Sequence, residues 1–315
     1  MNNLLKNIFS IDTKSSNRII IRILGFKIQY LKKSVINAGN KYKELDCPVS
    51  EIPPAEGVLR KIQLGDLKLL QIFDKICQEN GLSYWLDFGN LLGAVRHKGF
   101  IPWDDDVDVS MLREDYEKLF KLFKDGFPGY DDLYIKFINN GYSRCLMKIL
   151  HKKIPYLQID VFPYDLYYEK VENDSKKSLT KLLKQLHKNK KYMILSPFLR
   201  SKDDFIISYL KKVRDEKILK NNNVDKGLTP AIFYGIDYPH KHPCQFFDWE
   251  DIFPLGKINY ENIELSCPNN PQKVAKQIFG DSYMELPKNC YPRHSNSFEI
   301  SEEIDKSLNE FIKGE

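Results

Sequence analysis

The chain is predicted to fold as an α+β protein, and three observations carry that prediction. Apolar residues recur at helical spacing in two windows, 58–80 and 113–123. Short runs rich in Val, Ile, Tyr and Phe, such as VDVSM (107–111) and YLQIDVF (156–162), read as strands between and after them. A Lys-rich amphipathic stretch from about 168 to 223 reads as a helical insertion beside this core.

Residues 1–45 form an accessory segment in this reading. IIIRILG and FKIQYLK meet at Gly25, the pattern of a short hairpin, and Pro48, Pro53 and Pro54 mark a linker into a catalytic domain over 46–315. The first helix carries Leu59, Ile62, Leu70, Phe73, Ile76 and Cys77 on one face and stops at Asn80-Gly81. SYWLDF reads as a strand, GNLLGAVRHKG as a tight turn and short helix, VDVSM as a strand and REDYEKLFKLF as a helix. DLYIKFIN, SRCLMKIL and YLQIDVF read as three further strands. In the insertion, Leu179, Leu182, Leu183 and Leu186, then Phe205, Ile206, Tyr209 and Leu210, mark two helices with a solvated lysine face. A hairpin around INYENIELS and a helix over 271–279, closed by Gly280, complete the chain.

Composition excludes more than it identifies. With 315 residues, 42% hydrophobic and 29% charged, the chain has the profile of an ordinary globular protein. A net charge of +5 is spread over many lysines and singles out no nucleic acid. Six cysteines are scattered without a CxxC pair, so reduced thiols are expected and a disulfide framework is not. No apolar run approaches the ~20 residues that span a bilayer, and no signal-peptide pattern opens the chain. A cytoplasmic protein is expected, at most peripheral to the inner face of a membrane.

The strongest chemical signal is WDDDVDVS, residues 103–110. Alternate side chains of a strand share a face, so Asp106 and Asp108 point one way while Val107 and Val109 enter the core. Two convergent carboxylates beside a buried strand are costly unless a cation neutralises them, and a hard divalent ion such as Mg²⁺ or Mn²⁺ meets that need. A calcium loop of EF-hand type fails, because counting from Asp104 its Gly and Glu places hold Val109 and Asp115. Asp160 lies mid-strand between Ile159 and Val161. It either completes a three-carboxylate set or caps backbone amides near Pro163. Gly89 and Asn90, at a strand-to-helix turn, admit a phosphate to backbone N–H groups, and Arg96, His97 and Lys98 add a basic cluster beside the acids. HKHPC, with His240, His242 and Cys244, lacks a second ligand pair and reads as a loop.

The run FGNLLGAVRHKGFIPWDDDVDVSMLREDYEKL, followed by IDVFPYD, DIFPLGKINYENIELSCP and IFGDSYMELP, closely resembles the LicD/fukutin family of phosphotransferases. That resemblance implies a nucleotidyltransferase-like mixed sheet with flanking helices. Asp106, Asp108 and Asp160 would be the metal-binding and catalytic carboxylates. Gly89 and Asn90 stand where relatives often carry Gly-Ser or Gly-Thr. Lys148 would hold the donor diphosphate or else be a solvent-facing strand lysine, and Arg293 and His294 match a basic pair near the family's C-terminus. The implied reaction moves phosphocholine, or a polyol phosphate such as phosphoribitol, from a CDP-alcohol to a hydroxyl of a cell-surface glycan or glycolipid, such as lipopolysaccharide, teichoic acid or capsule. CMP would be released. Two rival readings are a nucleotide-sugar glycosyltransferase with an Asp-x-Asp metal motif, which leaves GNLLGAVRH unexplained, and a non-catalytic glycan-binding relative. A quaternary ammonium would call for an aromatic cage, with Tyr84, Trp85, Trp103, Tyr164 and Trp249 as candidates.

Overall fold

The computed structural model describes residues 9–12, 18–23, 26–31, 41–138, 146–167, 231–234, 246–288, 290 and 300–314. The Lys-rich insertion, the HKHPC stretch and the Arg293–His294 pair lie outside them. Strands β1 (Phe9–Asp12), β2 (Arg18–Ile23) and β3 (Phe26–Leu31) form an antiparallel sheet of their own, with Ile23 paired to Phe26 across the expected hairpin at Gly25.

Helix α1 (Gly57–Glu79) is the long amphipathic helix that the spacing predicts. It is followed by the two-residue strand β4 (Trp85–Leu86), helix α2 (Phe88–His97), strand β5 (Val107–Leu112) and helix α3 (Arg113–Phe123). Strands β6 (Leu133–Ile138), β7 (Leu146–His151), β8 (Gln158–Tyr167), β9 (Ala231–Tyr234) and β10 (Phe246–Phe247) complete a seven-stranded mixed sheet. Ten-residue β8 organises it: β5 runs parallel along one edge, while β7 and then β9 pair antiparallel along the other. Helix α4 (Trp249–Ile252), the hairpin of β11 (Gly256–Tyr260) and β12 (Ile263–Cys267), helix α5 (Pro271–Phe279) and helix α6 (Glu302–Lys313) follow.

Strand alternation divides the core between the two faces of the sheet. Val107, Val109, Met111, Met147, Ile149, Ile159 and Val161 pack with the apolar faces of α1 and α3 and with Leu308 of α6. Burial of each such side chain contributes roughly 1.5–3 kcal/mol. On the opposite face Phe162, Tyr164 and Ile232 pack with Leu91 of α2 and Val274 and Ala275 of α5. Asp108, Lys148 and Asp160 share this second face, toward the N-terminal ends of β5 and β8.

Two stretches differ from the sequence reading. The Pro-bearing segment expected as a linker is packed: Tyr42 and Ile52 are buried with Leu92, Ile101 and Trp103, and the Tyr42 hydroxyl donates to the Pro102 carbonyl at 3.1 Å. The apolar residues set among its prolines give it a face to bury. Helix α6 was not expected, although Ser301 caps it by accepting the Ile304 N–H and Gly314 ends it in the left-handed conformation.

Candidate active site

The site begins where β4 gives way to α2. Asp87 is the N-cap of that helix, accepting the Phe88 N–H at 2.8 Å, and its other oxygen accepts the hydroxyls of Ser110 and Tyr164, each at 2.7 Å. Burial raises the Asp87 carboxyl, and these three donors act against the rise. Gly89, in the first turn, leaves room for the acid loop: a Cβ there would stand 2.5 Å from Asp104 Oδ2. Gly93, one turn on, packs so closely that a Cβ would meet the Gly99 carbonyl oxygen at 2.4 Å.

The 101–106 loop then delivers the acids. Gln63 of α1, fully buried, donates to the carbonyls of Ile101 at 3.2 Å and Asp104 at 2.9 Å. One carboxylate oxygen from each of Asp104, Asp105 and Asp106 lies within 4.8 Å of the others. A second brace comes from the β11–β12 turn, where Glu261 receives both ends of the Arg60 guanidinium at 3.0 and 2.8 Å and the Phe100 N–H at 3.2 Å. Glu261 itself sits at φ 57°, a conformation that L residues adopt uncommonly, held by these bonds and by its own N–H to the Lys98 carbonyl at 2.7 Å.

Strand register brings the remaining charged residues together. Asp108 pairs with Asp160 across the parallel β5–β8 ladder, and Asp160 pairs with Lys148 across the antiparallel β7–β8 ladder. Lys148 Nζ contacts Asp160 Oδ1 at 2.5 Å and donates to Gln158 Oε1 at 3.0 Å. Lys148 is 7% exposed and Asp160 5%, so this lysine does not face solvent. Burial raises the Asp108 carboxyl well above the usual range, and the neighbouring Asp106, Asp160, Asp104 and Asp87 raise it further. Crowded carboxylates of this kind have the chemistry that a hard divalent cation neutralises, and among the described residues the acids whose oxygens converge are Asp104, Asp105 and Asp106.

Asp66 of α1 belongs to the same neighbourhood and was missed from the sequence. It is completely buried and accepts the Gln158 N–H at 3.1 Å through Oδ1, while Oδ2 has no hydrogen-bond partner among the described residues. Burial holds its carboxyl well above the ordinary range, and Asp106, Asp105 and Asp160 add to the rise. Gln63 and Asp66, three residues apart, are polar members of a helix face that is otherwise apolar. That interruption was the available signal.

The basic cluster divides. Arg96 donates to the Tyr283 carbonyl at 2.7 Å, to the Glu285 carbonyl at 3.2 Å and to His97 Nε2 at 3.0 Å, so it moors the 283–285 turn. Burial brings Arg96 down to about 10 and, with the Arg96 charge beside it, His97 down to about 3. Lys98 is exposed at the left-handed C-cap of α2.

The cage candidates fall in three places. Tyr84 packs in the α1 core and Trp103 against Tyr42, while Trp85 and Tyr164 meet edge to face at 5.2 Å on the opposite face of the sheet, where Trp249 joins them through Phe253. Cys47, Cys77, Cys267 and Cys290 are free thiols, while Cys145 and Cys244 lie outside the described residues.

Residues 81–202 match the family model described as LicD/FKTN/FKRP, nucleotidyltransferase domain. The lipopolysaccharide cholinephosphotransferase LicD of Haemophilus influenzae is 52% identical over 60 residues, 19% of this chain and 23% of that protein. An uncharacterised protein of Rickettsia typhi is 30% identical over 128 residues, 36% of this chain and 41% of its own. The human ribitol 5-phosphate transferase FKRP is 50% identical over 40 residues, 13% of this chain and 8% of that protein. The chain thus spans less than half the length of these relatives. Among the described residues, no helix is long and apolar enough to cross a membrane.

Proposed function

We propose, from the match of residues 81–202 to the LicD/FKTN/FKRP family model, that the protein transfers a phosphorylated alcohol from a CDP-linked donor to a hydroxyl of a glycan or glycolipid, releasing CMP. Phosphocholine is the first candidate and a polyol phosphate such as phosphoribitol the second, the groups named for the relatives. The observation that supports this reading best is the line Asp108, Asp160, Lys148 across three adjacent strands, with Asp104–Asp106 at its edge.

In the proposed reaction the acceptor oxygen bonds to the phosphorus that carries the alcohol, and the anhydride bond to CMP breaks. Asp106, Asp108 and Asp160 would hold Mg²⁺ or Mn²⁺, which supplies neutralisation of the diphosphate and of the charge that grows on the leaving CMP. Lys148, fixed beside Asp160, places a cation next to the diphosphate. Asp160 is oriented by that lysine to take the acceptor proton. Lys98 is free to meet the donor at the rim, whereas Arg96 serves the fold. Soluble CDP donors and the divalent cation fit a cytoplasmic reaction, at the inner membrane face when the acceptor is a glycolipid.

The test is CMP release by purified protein with Mg²⁺ or Mn²⁺, offered CDP-choline, CDP-ribitol, CDP-glycerol, CTP, UDP-glucose and GDP-mannose with a glycan extract. Metal-dependent CMP from one CDP-alcohol supports the proposal and names the donor. UDP or GDP release replaces it with a glycosyltransferase, and pyrophosphate from CTP with a nucleotide-adding enzyme.

A further inference from the structure

Antiparallel ladders join hydrogen-bonded residue pairs by two bonds, one in each direction. At Asp87 and Asp108, just beyond the end of β4, only one of these is made. The Asp87 N–H donates to the Asp108 carbonyl at 3.1 Å, but the Asp87 carbonyl has turned into α2, where it accepts the Leu91 N–H at 3.0 Å. The Asp108 N–H therefore loses its ladder acceptor because the chain starts a helix there. Asn90 replaces it: Asn90 Oδ1 accepts the Asp108 N–H at 2.6 Å.

The other end of the Asn90 amide is held as well. Nδ2 donates to the Tyr260 hydroxyl at 2.8 Å, and Asn90 and Tyr260 are 2% and 0% exposed. The amide orientation follows from its partners, since a backbone N–H only donates and must face the oxygen. Asp108 is thus fixed on one side by its β8 partner and on the other by a side chain standing in for backbone. That restraint acts on a carboxylate surrounded by other acids, whose mutual repulsion would drive it outward.

We propose that Asn90 is a positioning residue, which with Tyr260 completes the β5 hydrogen-bond ladder at Asp108 and so fixes the Asp108 carboxylate for the transfer reaction, instead of acting as a donor-phosphate ligand. This role rests on the proposed phosphotransferase reading for its kinetic consequence, but not for its structural one. A serine or threonine hydroxyl offers one polar atom where the amide offers two, and does not bridge Asp108 and Tyr260 in the same way.

The experiment compares wild type with Asn90→Ala, Asn90→Asp and Tyr260→Phe in full-length protein. Hydrogen exchange at the Asp108 amide is followed first. It should quicken in Asn90→Ala by roughly 5–30-fold, the scale of one lost buried bond, and Asn90→Asp, which keeps the acceptor, should restore protection. Unchanged exchange in Asn90→Ala overturns the proposal. Should that variant not fold, Tyr260→Phe carries the same test through the released amide, with faster exchange in support and unchanged exchange against.

Kinetics then separate positioning from ligand binding. In Asn90→Ala, kcat for CMP release should fall roughly 10–100-fold with KM for the CDP donor little changed. A raised KM at unchanged kcat makes Asn90 a donor ligand and overturns the proposal. Absence of CMP release from wild type itself defeats the phosphotransferase reading alone, and the exchange result still decides the placement of Asn90.

Discussion

Asp108 and Asp160 are register partners on parallel strands, although they stand 52 positions apart in the chain. Adjacent strands lie about 4.8 Å apart, so two carboxylates on the same face of this pair are neighbours by construction. Lys148 stands on the far side of Asp160 and neutralises only that member directly. Asp108 is left to Asp106, Asp104 and Asp87, all acids. If a divalent cation supplies the missing charge, Asp108→Asn and Asp106→Asn keep the fold and lose CMP release by at least about 100-fold. Circular dichroism and the nucleotide assay together check this, and near-normal activity in either variant removes the metal assignment.

The Lys148–Asp160 pair makes a second prediction. Removing one partner of a buried ion pair strands the other charge, at a cost of about 3–5 kcal/mol. Lys148→Met should therefore lower the urea midpoint strongly. Adding Asp160→Asn to that variant should recover much of the loss, because no buried charge is then left unpaired. Equal destabilisation in the single and double variants would show that the pair does not hold the strands.

Two glycines of α2 should fail differently. A Cβ at Gly89 meets a side-chain oxygen of Asp104, which can move, whereas a Cβ at Gly93 meets the backbone oxygen of Gly99. Gly93→Ala should destabilise by about 1–3 kcal/mol, the usual cost of overpacking. Gly89→Ala should cost less stability and displace Asp104, weakening Mn²⁺ binding by calorimetry. The reverse pattern would contradict the packing described.

Stability should depend on pH through Asp66. Its folded-state carboxyl is raised by burial, so the folded protein binds this proton more tightly than the unfolded chain does. The contribution is most favourable below the ordinary Asp value of about 3.9 and declines as pH rises toward the folded value. Asn at this position keeps an oxygen for the Gln158 N–H and carries no charge. Without divalent metal, the melting temperature of Asp66→Asn should exceed that of wild type by a margin that widens from about pH 4 upward. A margin independent of pH would mean that Asp66 does not titrate with folding.

Much of the architecture was legible because it is local. The stripe from Leu59 to Cys77 requires a helix, and Val107 and Val109 alternating with Asp108 and Ser110 require a strand with one polar face, which starts just after Asp106. The hairpin of β11 and β12 and the helix over Pro271–Phe279 were marked by their own turns and caps. Arg96 was misleading for the opposite reason: a basic residue near acids reads as a ligand, and nothing local reveals that the carbonyls of Tyr283 and Glu285 occupy it.

The sequence by itself determined that this is an α+β chain with an acidic strand following a Gly-polar turn, since periods of 3.6 and 2 are written in neighbouring residues. Only the tertiary structure decided that Asp160 faces Asp108, that Lys148 is buried against it, and that from α1 Gln63 braces the acid loop while Asp66 holds the start of β8. Those outcomes depend on strand register and helix packing between segments far apart in the chain. They are fixed by backbone pairing and by burial of the opposite, apolar faces, which no single segment encodes alone.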